Sequence, residues 1–134
     1  MTQITINSTV EELKAYVESD EYEAIDWRER DPIDNTIVVA LAKNGYSFDL
    51  SYGRSAVDDI VFEMVVDMSF KQDFDEGSRW SNFVTDYAKI TVDGEEYYVA
   101  LSWEKAATEM QEHGSADVYL VKPVEKTIIS YEKI

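Results

Sequence analysis

Two Asx-Gly dipeptides, Asn44-Gly45 and Asp93-Gly94, constrain the fold more than any other feature of the chain. Each lies between apolar, β-rich runs. That is the setting of a two-residue type I′ hairpin, whose central residues need positive φ. Around the first turn, Leu41 falls opposite Phe48, Val39 opposite Leu50 and Ile37 opposite Tyr52. One face of a hairpin over Thr36–Tyr52 would then be apolar throughout. The other face would pair Ala42 with Ser47, Ala40 with Asp49 and Val38 with Ser51. Around the second turn, Phe83–Val92 meets Glu95–Ser102, with Ile90 opposite Tyr97 and Ala88 opposite Val99.

The remaining segments are assigned by periodicity. Gln3 to Asn7 alternate, which predicts a short first strand. Ser8-Thr9-Val10-Glu11 fits a capping box, and Val10, Leu13, Tyr16 and Val17 recur at helical spacing, which predicts a helix over Thr9–Ser19. Asp20 to Asp34 has no period and contains Pro32, so it reads as a loop with a turn of helix. Between Ile60 and Phe70, a helix would align Val57, Ile60, Val61, Met64, Val65 and Met68 but leave Phe62, Val66 and Phe70 outside. A strand aligns Ile60, Phe62, Met64, Val66, Met68 and Phe70, and the β-branched and aromatic content favours it. Ser102 caps a short helix over Trp103–Glu112 with Gly114 as its stop, and Val118–Lys122 and Thr127–Glu132 form two last strands divided by Pro123. The expected architecture is one α+β domain over residues 1–134, a mainly antiparallel sheet built of hairpins with two helices packed on one side.

Little in the chain invites chemistry. There is no cysteine, which excludes disulfides, thiolate nucleophiles and cysteine zinc sites. His113 stands alone and reads as a capping residue in a helix C-terminal turn. Asp73-Phe74-Asp75-Glu76-Gly77 lacks the calcium-loop spacing, with Gly77 at the fifth position and Val84 at the twelfth. No phosphate-binding glycine loop occurs. Asp58-Asp59 and Glu95-Glu96 are paired carboxylates, but 28 acids in 134 residues bring such pairs together by chance. The expectation is a non-enzyme with no catalytic residue, metal or cofactor. Met1 to Thr5 carry no secretory signal, and no apolar run reaches the length of a membrane helix, so a cytoplasmic protein without membrane contact is expected.

Charge is the informative property. The chain has 28 acids against 12 Lys and Arg, a net charge of −16, where solubility needs about 2 to 8. Direct nucleic-acid binding is opposed, since every phosphate is repelled. The excess is uneven: Glu11 to Asp34 holds ten acids against three basic residues, and Asp49 to Glu76 holds eight against two. Within these, Asp20–Asp34 and Asp58–Glu76 interleave acids with aromatics. Carboxylates spaced on a rigid surface imitate phosphates, and nearby aromatics supply a desolvated anchor. The residues expected to face a partner are Asp20, Glu21, Glu23, Asp26, Asp58, Asp59, Asp73, Asp75 and Glu76, with Tyr22, Trp27 and Phe74 as anchors. The expected partner is a basic nucleic-acid-binding protein, met by fast, salt-sensitive association.

In size, charge and lack of cysteine the chain resembles the acidic anti-CRISPR and anti-restriction inhibitors of bacteriophages, which mimic DNA. The segment Tyr87-Ala88-Lys89-Ile90-Thr91-Val92-Asp93-Gly94-Glu95-Glu96-Tyr97-Tyr98 is similar to a tyrosine-rich hairpin of some type II anti-CRISPR proteins. The resemblance implies inhibition of a CRISPR effector nuclease, in the host cytoplasm, by occupying the groove that reads the PAM duplex. Three other classes fit the composition: an immunity protein against a nuclease toxin, a small carboxylate-using hydrolase or sugar-binding module, and a phage structural or assembly protein.

Overall fold

The computed structural model describes residues 4–50, 55–75, 81–106, 114–124 and 131–134. In order they form α1 (Val10–Val17), α2 (Asp20–Glu23), a 3-10 turn (Trp27–Glu29), α3 (Asp31–Lys43), β1 (Ser47–Asp49), α4 (Ala56–Asp67), β2 (Ser69–Asp75), β3 (Ser81–Val92), β4 (Glu95–Ala106) and β5 (Ser115–Val121). The fold is α+β, with four helices and one five-stranded antiparallel sheet among the described residues, in the order β1-β5-β4-β3-β2. β2 to β5 run as a meander. β1, earlier in the chain, adds beyond β5, with Phe48 opposite Ala116.

The second Asx-Gly turn behaves as its sequence predicts. Asp93 has φ 51° and Gly94 φ 82°, both positive as a type I′ turn requires. Ile90 lies opposite Tyr97 and Ala88 opposite Val99. The first Asx-Gly does something else. Asn44 is the α-helical C-cap of α3, and Gly45 alone turns left-handed, at φ 63°. The Tyr46 N–H reaches the Leu41 carbonyl at 3.2 Å and the Gly45 N–H reaches Ala42 at 3.0 Å, which is a Schellman closure. Thr36–Tyr52 is therefore no hairpin: its first half is helix, and only Ser47–Asp49 is strand. Pro32 occupies the first turn of α3, where its missing N–H costs nothing. Ile37 to Ala42 are buried all round the helix, so no amphipathic period marks it.

α4 replaces the strand expected over Ile60–Phe70. Val57, Val61 and Val65 are buried at helical spacing, and the strand begins only at Ser69. α1 starts one residue later than its motif suggested: Thr9, not Ser8, is the N-cap, and its box partner is Glu12, not Glu11. The described residues 4–9 hold no strand, so the expected first strand is absent from them. β4 runs through Trp103 to Ala106, which removes the start of the helix expected at Trp103–Glu112; residues 107–113, with His113, lie outside the described residues. Of the last two expected strands, the first is β5 and most of the second lies outside the described residues.

α3 and α4 pack directly on one sheet face, and α1 lies against both. The helices on the sheet are thus two segments expected as strands. Alternation along β3 divides the sheet faces. Val84, Asp86, Ala88, Ile90 and Val92 point into the helix layer and are buried, while Phe83, Thr85, Tyr87, Lys89 and Thr91 point outward. Among the described residues, no helix is long and apolar enough to cross a membrane.

Candidate functional site

The first acidic stretch is more ordered than its sequence suggests. Ser19 caps α2, its hydroxyl accepting from the Tyr22 N–H at 3.4 Å, and Asp20, Glu21 and Glu23 follow in that single turn. Asp26 caps the 3-10 turn, its carboxylate accepting from the Arg28 N–H at 3.1 Å. Arg30 ties the two turns together. Its Nε donates to the Ile25 carbonyl and its Nη2 to the Glu23 carbonyl, both at 3.1 Å, and its guanidinium lies 4.9 Å from the Tyr22 ring. These bonds go to backbone, so the cation holds the segment rigid instead of pairing with its carboxylates.

The two aromatics of this stretch take opposite roles. Tyr22 is buried, edge-on to Tyr16, and its hydroxyl donates to Asp34 Oδ1 at 2.7 Å. Burial and that hydrogen bond push its phenol pKa well up. Burial likewise raises the Asp34 pKa; the Tyr22 hydrogen bond and Arg30 pull it back, and Asp31 adds to the rise. Tyr22 belongs to the core and is no surface anchor. Trp27 is 72% exposed, with the Arg28 guanidinium over its ring at 5.4 Å. Asp20, Glu23, Asp26, Glu29 and Asp31 are exposed and Glu21 half-exposed. Among the described residues none of these six makes an ion pair.

The second stretch does not form one surface. Asp58 is only 6% exposed. Its Oδ1 accepts from the Tyr46 hydroxyl at 2.5 Å and its Oδ2 from the Ser55 N–H at 3.0 Å, so it closes the start of α4. A carboxylate so placed cannot face a partner, and Asp58 leaves the set of surface candidates. Asp59 is half-buried in the first turn of α4. Asp73 lies on the outer face of β2, accepting from the Tyr87 hydroxyl at 3.1 Å and 3.8 Å from Lys71 Nζ. Phe74, beside it, is 59% exposed. Asp75 ends β2 opposite Phe83; its side chain, and all of Glu76, lie outside the described residues. The first stretch packs on α1 and α3, whereas the second divides between α4 and the sheet edge.

The outer sheet face was not anticipated as a surface. Phe70, Tyr87 and Tyr98 line a groove of about 530 Å³ with Lys71, Lys122 and Val121. Phe70 stands edge-on to Tyr98 at 6.3 Å. The signal was the outward alternation of Tyr87 and Lys89 along β3. Among the described residues, no three His, Asp or Glu side chains converge on a possible metal position.

Comparison with known proteins adds no relative: no family model matches the chain, and neither does any curated protein or solved structure.

Proposed function

We propose that the chain is an acidic inhibitor that occupies the nucleic-acid groove of a basic enzyme. The observation that supports this reading is the segment from Asp20 to Asp31. Five exposed carboxylates and one half-exposed one stand on a surface held by backbone hydrogen bonds, without ion pairs among the described residues, around a Trp27 that is 72% exposed. Unpaired carboxylates at fixed positions offer what Lys and Arg in a DNA groove otherwise take from phosphates. An exposed Trp is the residue type that dominates protein–protein hot spots. The half-buried Asp59 and the outer-face Asp73 are secondary contributors in this reading.

The narrower form of the proposal is an anti-CRISPR protein acting in the cytoplasm of a phage-infected host, blocking the PAM-reading groove of a type II effector. It rests on the sequence resemblance and the Tyr87–Tyr98 hairpin. An immunity protein shares the physics and differs in partner. Fluorescence anisotropy of a labelled duplex tests both. The chain is titrated against a guide-loaded type II effector and, separately, against a nuclease toxin domain, at about 50 mM salt where screening is weakest. Displacement of DNA from one of them is expected. The triple variant Asp20→Asn, Glu23→Gln, Asp26→Asn keeps the Asp26 cap and should displace about tenfold less well, since three rim charges together contribute about 1.4 kcal/mol. No displacement from either enzyme at low salt would overturn the proposal.

A further inference from the structure

β2 is the last strand of the sheet, and among the described residues its outer edge has no strand beside it. Its seven residues span about 24 Å, and the backbone groups on that outer edge have no strand partner among the described residues. Four exposed apolar side chains lie there: Met68 and Phe70 at its start, Phe74 near its end, and Phe83 on the adjoining strand. Edges are normally protected by charge and by bulges. β2 has both, a lysine at position 71 and a bulge between Ser69 and Lys71. The charge, however, has its complement built in. Phe70-Lys71-Gln72-Asp73-Phe74 is symmetric about Gln72 in residue class and antisymmetric in charge.

We infer that this edge pairs antiparallel with the same edge of a second copy, about a two-fold axis at Gln72. In that register each Lys71 lies opposite the Asp73 of the other copy. Both side chains project from the outer sheet face, as their pairing with Tyr87 and Thr85 requires. Facing pairs of opposite charge stabilise antiparallel strands and like pairs destabilise them. A shift of two residues either way brings Lys71 against Lys71 or Asp73 against Asp73, so the charges select one register. The bulge lies at the end of the pairing and leaves Lys71 to Asp75 regular. The contact is isologous, as a two-fold demands, and joins two sheets into one of ten strands.

One strand edge is a small interface, and each copy carries a net charge of −16. The dimer is therefore weak and concentration-dependent, and it tightens as salt screens the overall repulsion. That is opposite in sign to the salt response of an acidic surface bound to a basic enzyme, and the inference stands apart from that reading.

Sedimentation velocity on the full chain, over a concentration series at about 50 and 500 mM salt, tests it. A monomer–dimer equilibrium is expected, with more dimer at the higher salt. Lys71→Asp or Asp73→Lys alone should each weaken dimerisation about tenfold or more, because like charges then meet. The double variant Lys71→Asp, Asp73→Lys should recover it, the pairs being merely exchanged. An equimolar mixture of the two single variants should form a heterodimer. Both sites are exposed, and far-UV circular dichroism checks that each variant folds. A chain that stays monomeric throughout overturns the inference, as does a dimer that the single substitutions leave unchanged or the double variant fails to recover.

Discussion

Asp86 is 1% exposed and faces into the helix layer from the middle of β3. Its two oxygens are both used. Oδ2 accepts from Trp103 Nε1 on β4 at 2.9 Å, and Oδ1 from Gln72 Nε2 on β2 at 2.8 Å. One carboxylate thus joins three strands, including the edge strand. Asp86→Ala removes both acceptors. Gln72 can turn to water, being on an exposed strand, whereas the Trp103 indole is buried. Loss of a hydrogen bond to a charged group costs about 1.5–3 kcal/mol. Relief of the buried charge offsets part of this, which leaves a net loss of about 2–3 kcal/mol. For a domain of this size that lowers Tm by about 8 to 12 °C. Asp86→Asn should behave differently. Trp103 can only donate, so the Asn Oδ1 must take it, and the Asn amide then donates to Gln72 after that amide flips. The network survives, and the expected loss is below about 1 kcal/mol. Urea unfolding followed by tryptophan emission measures both variants, with an unchanged m value showing that the compared states are the same. An alanine variant within about 0.5 kcal/mol of the parent, or an asparagine variant as damaging as alanine, would refute the reasoning.

Other substitutions probe other parts of the account. Thr9→Ala removes the acceptor that the Glu12 N–H finds at 3.2 Å and should destabilise the fold by about 1 kcal/mol in urea unfolding. Asp34→Asn tests the raised Asp34 pKa. As pH rises above about 3.9 the unfolded carboxyl ionises first, so the native state loses stability until its own carboxyl also ionises. Asparagine keeps an acceptor for the Tyr22 hydroxyl and removes that loss. Its Tm relative to the parent should therefore be higher at pH 7 than at pH 3; an equal difference at both would contradict the sign. Trp27→Ala should leave Tm unchanged, given its exposure, yet weaken enzyme inhibition in the anisotropy assay.

The same dipeptide chemistry was legible at one turn and misleading at the other. Asp93-Gly94 follows β3, which alternates buried and exposed residues, so local turn chemistry and periodicity agree. Asn44-Gly45 follows a helix buried on every side, whose run of Ile37 to Leu41 imitates a buried strand. The distinguishing signs were Pro32 at the front and Gly45 at the back, the ordinary asymmetry of helix ends. α4 was hidden similarly: Phe62, Met64 and Val66 are half-buried against the core, so a period of two competes with the period of four in Val57, Val61 and Val65. At the site, residue type located the acids but not their exposure. Asp58 and Asp20 are the same side chain in the first turn of a helix. The Tyr46 hydroxyl, twelve positions away in sequence, and the Ser55 N–H together hold Asp58 inward.

The central claim is that the Asp20–Asp31 carboxylates stand in for phosphates. Its most direct test is the salt dependence of displacement. The apparent inhibition constant of the chain against effector-bound duplex is measured from about 50 to 300 mM salt, for the parent and for the Asp20→Asn, Glu23→Gln, Asp26→Asn variant. The account predicts inhibition that weakens steeply as salt rises, with a shallower slope in the variant, as for the removal of phosphate-like contacts. Inhibition that is indifferent to salt, or a variant slope equal to the parent's, would contradict it.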